Sequence, residues 1–338
     1  MKRFITCMLM IAFTTLALTG CSKEQNEKKI GVSLGTGSSK RWALEKEYME
    51  ERAKKHGIDI EVHLNNLNDD RKQADDCKEM IDNGISVLII RPKDLTDMED
   101  IVEYAHKKDV KVINYAGLLD NQEVDLFIGY DCVNIGKEMA IYLSEIVYKG
   151  DYIVLSGDKE DKIVTDSLYK GSMSVLTPLI NAGDIRVLLD ANVENWVPEN
   201  AKEMVRNAIL QNGSRVDAIL APNDAIAGAC REVLDELQIT NEVIITGMDA
   251  QLDAVKRIID GKQSSTFYMD SKVMAYEAID QAKKMMEGSK PDKNGAFTNG
   301  TKKEIPAYLT TGTLITKQNI DKILIKSGSM TKEEVYGQ

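Results

Sequence analysis

The chain has 338 residues, of which 43% are apolar and 29% charged, with a formal charge of −11. That length is long for one compact core and suits two lobes of about 130–150 residues each. The acidic balance, with no sustained basic run, excludes a nucleic-acid surface.

Residues 1–20 read as a leader and not as part of the fold. Met1-Lys2-Arg3 is a short positive start, 4–18 is an uncharged apolar stretch, and Leu18-Thr19-Gly20-Cys21 supplies the small residues and cysteine of a bacterial lipoprotein processing site. The apolar stretch is short for a membrane-spanning helix and polar residues follow it at once. Cleavage before Cys21 leaves its thiol for diacylation and takes the charge to about −13 as Lys2 and Arg3 depart. An uncleaved anchor is the alternative. Residues 21–28 then form a polar tether on the outer face of the cell membrane. Cys7 leaves with the leader, so Cys77, Cys132 and Cys230 remain, an odd set without a CxxC spacing. They read as small core or helix residues, and the isolated His56, His63 and His106 give no zinc site.

From residue 29 onward, strand and helix patterns alternate. Strands are expected at 29–34, 59–64, 87–90, 111–115 and 126–130. Helices are expected at 41–56, 69–83 and 96–108, the last opened by Thr96 as N-cap and Glu99 in a capping box. The pattern then starts over: helix 133–148, strand 152–155, helix 167–182, strand 185–189, helix 199–211, strand 218–221, helix 225–237, strand 243–245, helix 251–260, strand 265–268 and helix 272–287. Short apolar strands alternating with helices mean parallel sheets covered on both faces. The fold class is α/β, with two similar doubly wound parallel-sheet lobes joined by a multi-strand hinge. The first lobe is assigned 29–131 plus 270–304, and the second 132–269 plus 305–338, with the tail recrossing near 305–309. Multiple crossovers make a hinge that bends while the lobes stay together.

In such folds ligands bind at the carboxyl ends of the strands. The first strand ends in Gly35-Thr-Gly-Ser-Ser-Lys-Arg41-Trp42. The loop after 185–189 holds Trp196, the only other tryptophan. Strand 218–221 runs into Pro222-Asn223-Asp224, and strand 243–245 into Thr246-Gly-Met-Asp249. Flat aromatic rings cover the apolar faces of a sugar ring, and planar Arg, Asn and Asp side chains bond its hydroxyls in pairs. Each residue also has a structural alternative. Asn223 or Asp224 caps the next helix, and the assignment here gives Asn223 to the ligand and Asp224 to the cap. Asp249 competes between ligand and the cap of helix 251–260, and both tryptophans between ligand and core. Arg41 competes between ligand and a solvated helix start, where a cation is disfavoured. Tyr115, Asp131, Lys162 and Met269 stand at further element ends as ligand or hinge positions. No nucleophile–base pair, metal set or phosphate loop emerges, and 35–39 is too irregular for a dinucleotide fingerprint. Neither an enzyme nor a cofactor is expected.

These residues resemble the type I periplasmic sugar-binding proteins, and most closely the D-xylose receptors. The similarity lies in GVSLGT with Arg41-Trp42, in Ala105-His106 and KVINY (111–115), in NWVPENA (195–201), APNDAIAG (221–228) and GMDA (247–250), and in the tail TNGT and PAYLTT. It spans about residues 28–330. The resemblance implies that Trp42 and Trp196 sandwich a sugar while Arg41, Asn223 and Asp249 bond its hydroxyls. It also exposes departures. Where xylose receptors carry an Asp-Arg pair after the fourth strand, this chain has Ala116-Gly117. Where they place an Asp and an Asn after strand 152–155, it has Asp161-Lys162-Ile163-Val164, and Met269 replaces a lysine. Each unreplaced hydroxyl bond forfeits about 1–3 kcal/mol. Delivery to an ABC permease is the first implied role, and presentation to a membrane histidine kinase the second. A sugar-responsive repressor of the same fold needs an N-terminal helix-turn-helix, a place that the leader occupies.

Overall fold

Strands that are apolar at every position cannot have a wet face, and the computed structural model buries them on both. It describes residues 28–36, 40–65, 70–92, 98, 100–213 and 215–337. In chain order these form β1 (Lys29–Thr36), α1 (Lys40–His56), β2 (Asp59–Asn65), α2 (Asp70–Asp82), β3 (Val87–Ile90), α3 (Ile101–His106), β4 (Lys111–Tyr115) and β5 (Leu126–Tyr130). Next come α4 (Cys132–Ile146), β6 (Gly150–Ser156), α5 (Lys162–Asn181), β7 (Ile185–Asn192), a 3-10 turn (Glu194–Trp196), α6 (Pro198–Gln211), β8 (Ala218–Leu220), α7 (Asp224–Glu236), β9 (Ile244–Ile245), α8 (Leu252–Ile259) and β10 (Thr266–Tyr268). The chain closes with α9 (Ser271–Met286), β11 (Gly295–Phe297), β12 (Ile305–Thr310), β13 (Thr313–Ile315), a π-helical turn (Asp321–Ile325) and α10 (Lys332–Tyr336).

The first sheet has the order β11-β12-β5-β4-β3-β1-β2, parallel except for β11, and the second is the parallel set β7-β6-β8-β9. The order 2-1-3-4 therefore occurs twice, once in each lobe. In both, the order reverses beside the lobe's first strand, which puts the ligand crevices after β1 and β3 and after β6 and β8. Each sheet carries one apolar cluster per face. In the first lobe α2 and α3 cover one face, and α1 and α9 the other. In the second, α6 and α7 face α4 and α5 across the sheet. Cys77, Cys132 and Cys230 are free and buried in these clusters, and burial pushes their thiols up to about 12, so they are neutral packing groups. No described helix is long and apolar enough to cross a membrane.

Three segments join the lobes, at Asp131, at Met269–Asp270 and at 311–312. The outer two are tied together: Asp131 N donates to Thr310 O at 2.9 Å, and Thr310 Oγ1 donates to Gly129 O at 3.2 Å. Asp131 caps α4 through Asn134 N, and Asp270 caps α9 through Lys272 N. The expected boundary at 305 needs correction. β12 pairs with β5 from Ala307↔Phe127 to Thr310↔Tyr130, so 305–310 belong to the first sheet and the tail recrosses only afterwards. The buried residues Ile305, Ala307 and Thr310 do not keep a strict period of two, which leaves a weak strand signal within a polar tail. Helix α5 also starts earlier than the apolar period suggests, because Asp161 accepts Val164 N and nucleates it. The leader, Cys21, Thr96 and Glu99 lie outside the described residues.

Helices α4 and α5 touch backbone to backbone. A Cβ added at Gly136 would overlap the Leu168 carbonyl, and one at Gly171 the Val133 carbonyl, while Ser172 Oγ bonds Gly136 O at 2.9 Å. Neither obstacle is a flexible side chain. Gly136→Ala is therefore expected to lower stability by about 3 kcal/mol, measured by urea unfolding, by prising the two helices apart.

Candidate functional site

The crevice is built from strand ends, and its first wall rises from β1, β3 and β4. Trp42, 9% exposed, packs into the first lobe's apolar cluster with its indole against Gly35, where any side chain would strike the ring. Gly35 is there because the ring occupies the space of its Cβ. Two guanidiniums lie over the same ring: Arg41 Cζ is 4.5 Å and Arg91 Cζ 5.5 Å from its centroid. Arg41 Nε donates to Glu45 Oε1 at 2.7 Å. Glu45 is fully buried, which pushes its carboxyl up, and Arg41 opposes that shift. The buried Tyr115 hydroxyl lies beside Glu45 and interacts with its carboxylate, which favours the ionised form. Tyr115 thus underpins the Arg41–Glu45 pair from inside the core and is not a surface of the crevice, which corrects the ligand reading of that residue.

The second wall mirrors the first. Gly157 follows β6 as Gly35 ends β1, and the Trp196 ring takes the space of its Cβ. Trp196 reaches that seat through an unusual backbone. Asn195 and Trp196 both have left-handed dihedrals, with φ of 53° and 56°. A bulky residue holds that conformation only where its surroundings fix it. The fixing group is Asp158, buried at 8% exposure, whose carboxylate accepts Asn195 N and Glu160 N. Asn192 Nδ2 adds a bond to Gly157 O at 2.9 Å.

Asn223 takes the capping role expected for Asp224, and Asp224 does not cap the helix. Asn223 is the N-cap of α7, its Oδ1 accepting Ile226 N at 2.9 Å, and only its amide nitrogen remains for another partner. Asp224 is fully buried and accepts from Gln263 Nε2, Thr266 Oγ1 and Gln251 N, each at 2.8 Å. It ties the start of α7 to α8 and β10, and burial pushes it up to about 6 despite those donors. A cap needs the side chain outside the helix start, and here only Asn223 has the extended backbone for it. Asp249 does not cap α8, whose N-cap is Gln251. Among the described residues its carboxylate carries no hydrogen bond, and it opens to solvent within walls that thin its hydration. Loss of hydration and the neighbouring Asp224 push it up to about 7, while Arg41 across the crevice opposes the shift.

Opposite charges face each other across the gap: Arg41 acts on Asp249, and Arg91 on Asp161. Ile163, in the first turn of α5, packs against the first lobe's apolar cluster, so the lobes meet at this edge. Lys162 beside it is exposed, Val164 packs into its own lobe, and Met269 lies half-buried at the second crossing. Arg41 and Arg91 of the first lobe thus lie toward Asp249 and Asp161 of the second, with Trp42 under the two guanidiniums, Trp196 and Asn223 just beyond the ends of β7 and β8, and Asp131 at the first crossing. Sequence reasoning missed Arg91, Glu45 and Asp158. Arg91 had a signal, since it directly follows the buried strand VLII at the point where the strand order reverses. Among the described residues no group of His, Cys, Asp or Glu is arranged to hold a metal ion.

The family model for the periplasmic binding protein domain matches residues 30–290. The D-xylose-binding periplasmic protein of Haemophilus influenzae is 32% identical over 98% of this chain and 99% of its own length. Its namesake from Escherichia coli is 30% identical over 97% and 98%. A solute binding protein of a carbohydrate transporter from Chloroflexus aurantiacus, solved in complex with D-glucose, superposes with a TM-score of 0.76 at 25% identity, covering 91% of this chain and 98% of that one. The chain belongs to the periplasmic binding protein family, and it is a binding protein and not an enzyme.

Proposed function

We propose that this periplasmic binding protein captures a neutral monosaccharide, D-xylose or a related sugar, by closing its lobes, and hands it to an ABC importer. The observation that carries this reading is the matched pair of tryptophans, one per lobe, each seated on a glycine at an equivalent strand end. Two flat apolar faces around a crevice rich in Arg, Asn and Asp suit a ring whose faces are C–H and whose rim is hydroxyl. Relatives named for D-xylose binding support the choice of sugar. In this reading Arg41, Asn223 Nδ2 and Asp249 bond the rim, and the crossings at Asp131, Met269 and 311–312 carry the closure. Cys21 carries the lipid anchor on the outer face of the membrane once residues 1–20 are removed.

Calorimetric titration of the full chain with pentoses, hexoses and their alcohols tests the proposal. Binding of a pentose together with a smaller radius of gyration in solution scattering is the expected result. A folded protein that answers none of these sugars would overturn it. Pull-down from membranes separates an importer from a histidine kinase as the partner, and recovery of a kinase would overturn the transport role.

A further inference from the structure

Arg91 is held where its guanidinium has too little to do. Its backbone is pinned on both sides, N donating to Ser33 O at 2.8 Å and O accepting from Gln73 Nε2 at 2.9 Å. The side chain lies over Trp42, and Nη1 donates to the carbonyl of Pro92. On the remaining edge Nε is buried without a hydrogen-bond partner, and among the described residues Arg91 forms no ion pair. Arg41, over the same ring, has Glu45 as its counter-charge. The carboxylates that act on Arg91 do so from further away, Asp161 from the opposite lobe and Glu45 from beneath Arg41. A buried charged donor without an acceptor is destabilising. A rigidly mounted one in a ligand crevice makes sense when the acceptor arrives with the ligand.

We propose that Arg91 is a specificity-determining contact of the crevice, its Nε–Nη2 edge gripping two adjacent hydroxyl oxygens of the bound sugar. This rests on the sugar-binding reading above. The edge of a guanidinium presents two parallel N–H groups at the spacing of two neighbouring oxygens, and a lysine in its place has no such fork. The location agrees, because Arg91 follows β3 on the reversal point of the first sheet, beside Trp42 and opposite Asp161. A neutral polyol suits this end of the crevice, with guanidiniums on one wall and carboxylates on the other. When the lobes close, Asp161 approaches the same guanidinium and the bound hydroxyls lie between them.

The test is titration of D-xylose and the other pentoses and hexoses into the full chain and into Arg91→Met and Arg91→Lys, with thermal midpoints of the ligand-free proteins. Both variants are expected to lose about 10- to 100-fold in affinity for the sugar that the wild type binds. The ligand-free midpoint of Arg91→Met is expected to stay level or rise, since an unpartnered buried charge has gone. Affinity within about threefold of wild type in both variants would overturn the assignment. So would a midpoint several degrees lower that accompanies the loss, because that marks a structural role. If Arg91→Met fails to fold, Arg91→Lys decides by the same affinity criterion. A wild type that binds no sugar overturns the underlying reading and this one together, whereas a wild type that binds beside unaffected variants overturns this one alone.

Discussion

Trp196→Ala is expected to weaken sugar binding by about 100-fold or more while leaving a folded protein. An indole face covering about 100 Å² of a sugar's C–H surface is worth roughly 2.5 kcal/mol at 25 cal/mol per Å², and the geometric preference of aromatic stacking adds about 1 kcal/mol. Together these correspond to a factor of several hundred. The fold loses much less. Trp196 is half-buried at the edge of two apolar clusters, and its side chain forms no hydrogen bond with the described residues. Its backbone supplies the control. With φ of 56°, Trp196 sits where glycine is at ease, so Trp196→Gly loses the ring but relieves the strain. Both variants are expected to lose affinity alike in calorimetry, with Trp196→Gly as stable as Trp196→Ala or more so. Trp196→Phe keeps a flat face and should retain most of the binding. Trp196→Ala with near wild-type affinity would place the ring outside the site.

Much of this arrangement was legible in the chain because it rests on local chemistry. Continuous apolar runs such as VLII announced buried parallel strands, and the restart of the pattern after residue 131 announced the second lobe. The Arg41-Trp42 and Trp196 loops stood out because rare residue types fell at predicted strand ends. Long-range pairing was not legible. Nothing local says that β12 returns to the first sheet beside β5, since the residues that decide it lie some 180 positions apart. That Asn223 and not Asp224 caps α7 was hidden for a similar reason. Either side chain suits an N-cap, and what removes Asp224 from the competition is its bonding to Gln251, Gln263 and Thr266, far along the chain. The seats of the tryptophans were equally silent, because a glycine in a strand-end loop looks like a turn until the ring is seen to occupy its side-chain space.

Sugar affinity is expected to fall by about tenfold per pH unit below 7, through Asp249. In the ligand-free protein its carboxyl is pushed up to about 7, above the ordinary 3.8, by burial and by Asp224, and Arg41 only partly offsets this. Hydroxyl groups that donate to Asp249 require it ionised, so below pH 7 binding must expel a proton. The same shift has the opposite sign for stability. Between about pH 4 and 7 the folded ligand-free chain holds a proton that the unfolded chain has released, so this group's contribution to stability declines as pH rises through that window and is flat above it. Asp224, pushed up to about 6, adds a slope of the same sign over the lower part of the window. Asp249→Asn separates the two effects, because the carboxylate holds no hydrogen bond to the described residues that the substitution would break. It should bind sugar weakly and with little pH dependence, and be more stable than wild type at pH 8. Calorimetry in buffers of different ionisation heat counts the proton directly. Wild-type affinity that stays level from pH 5.5 to 8, with no proton released, would mean that Asp249 faces the crevice without touching the ligand. The charge opposite Arg41 would then serve lobe closure alone.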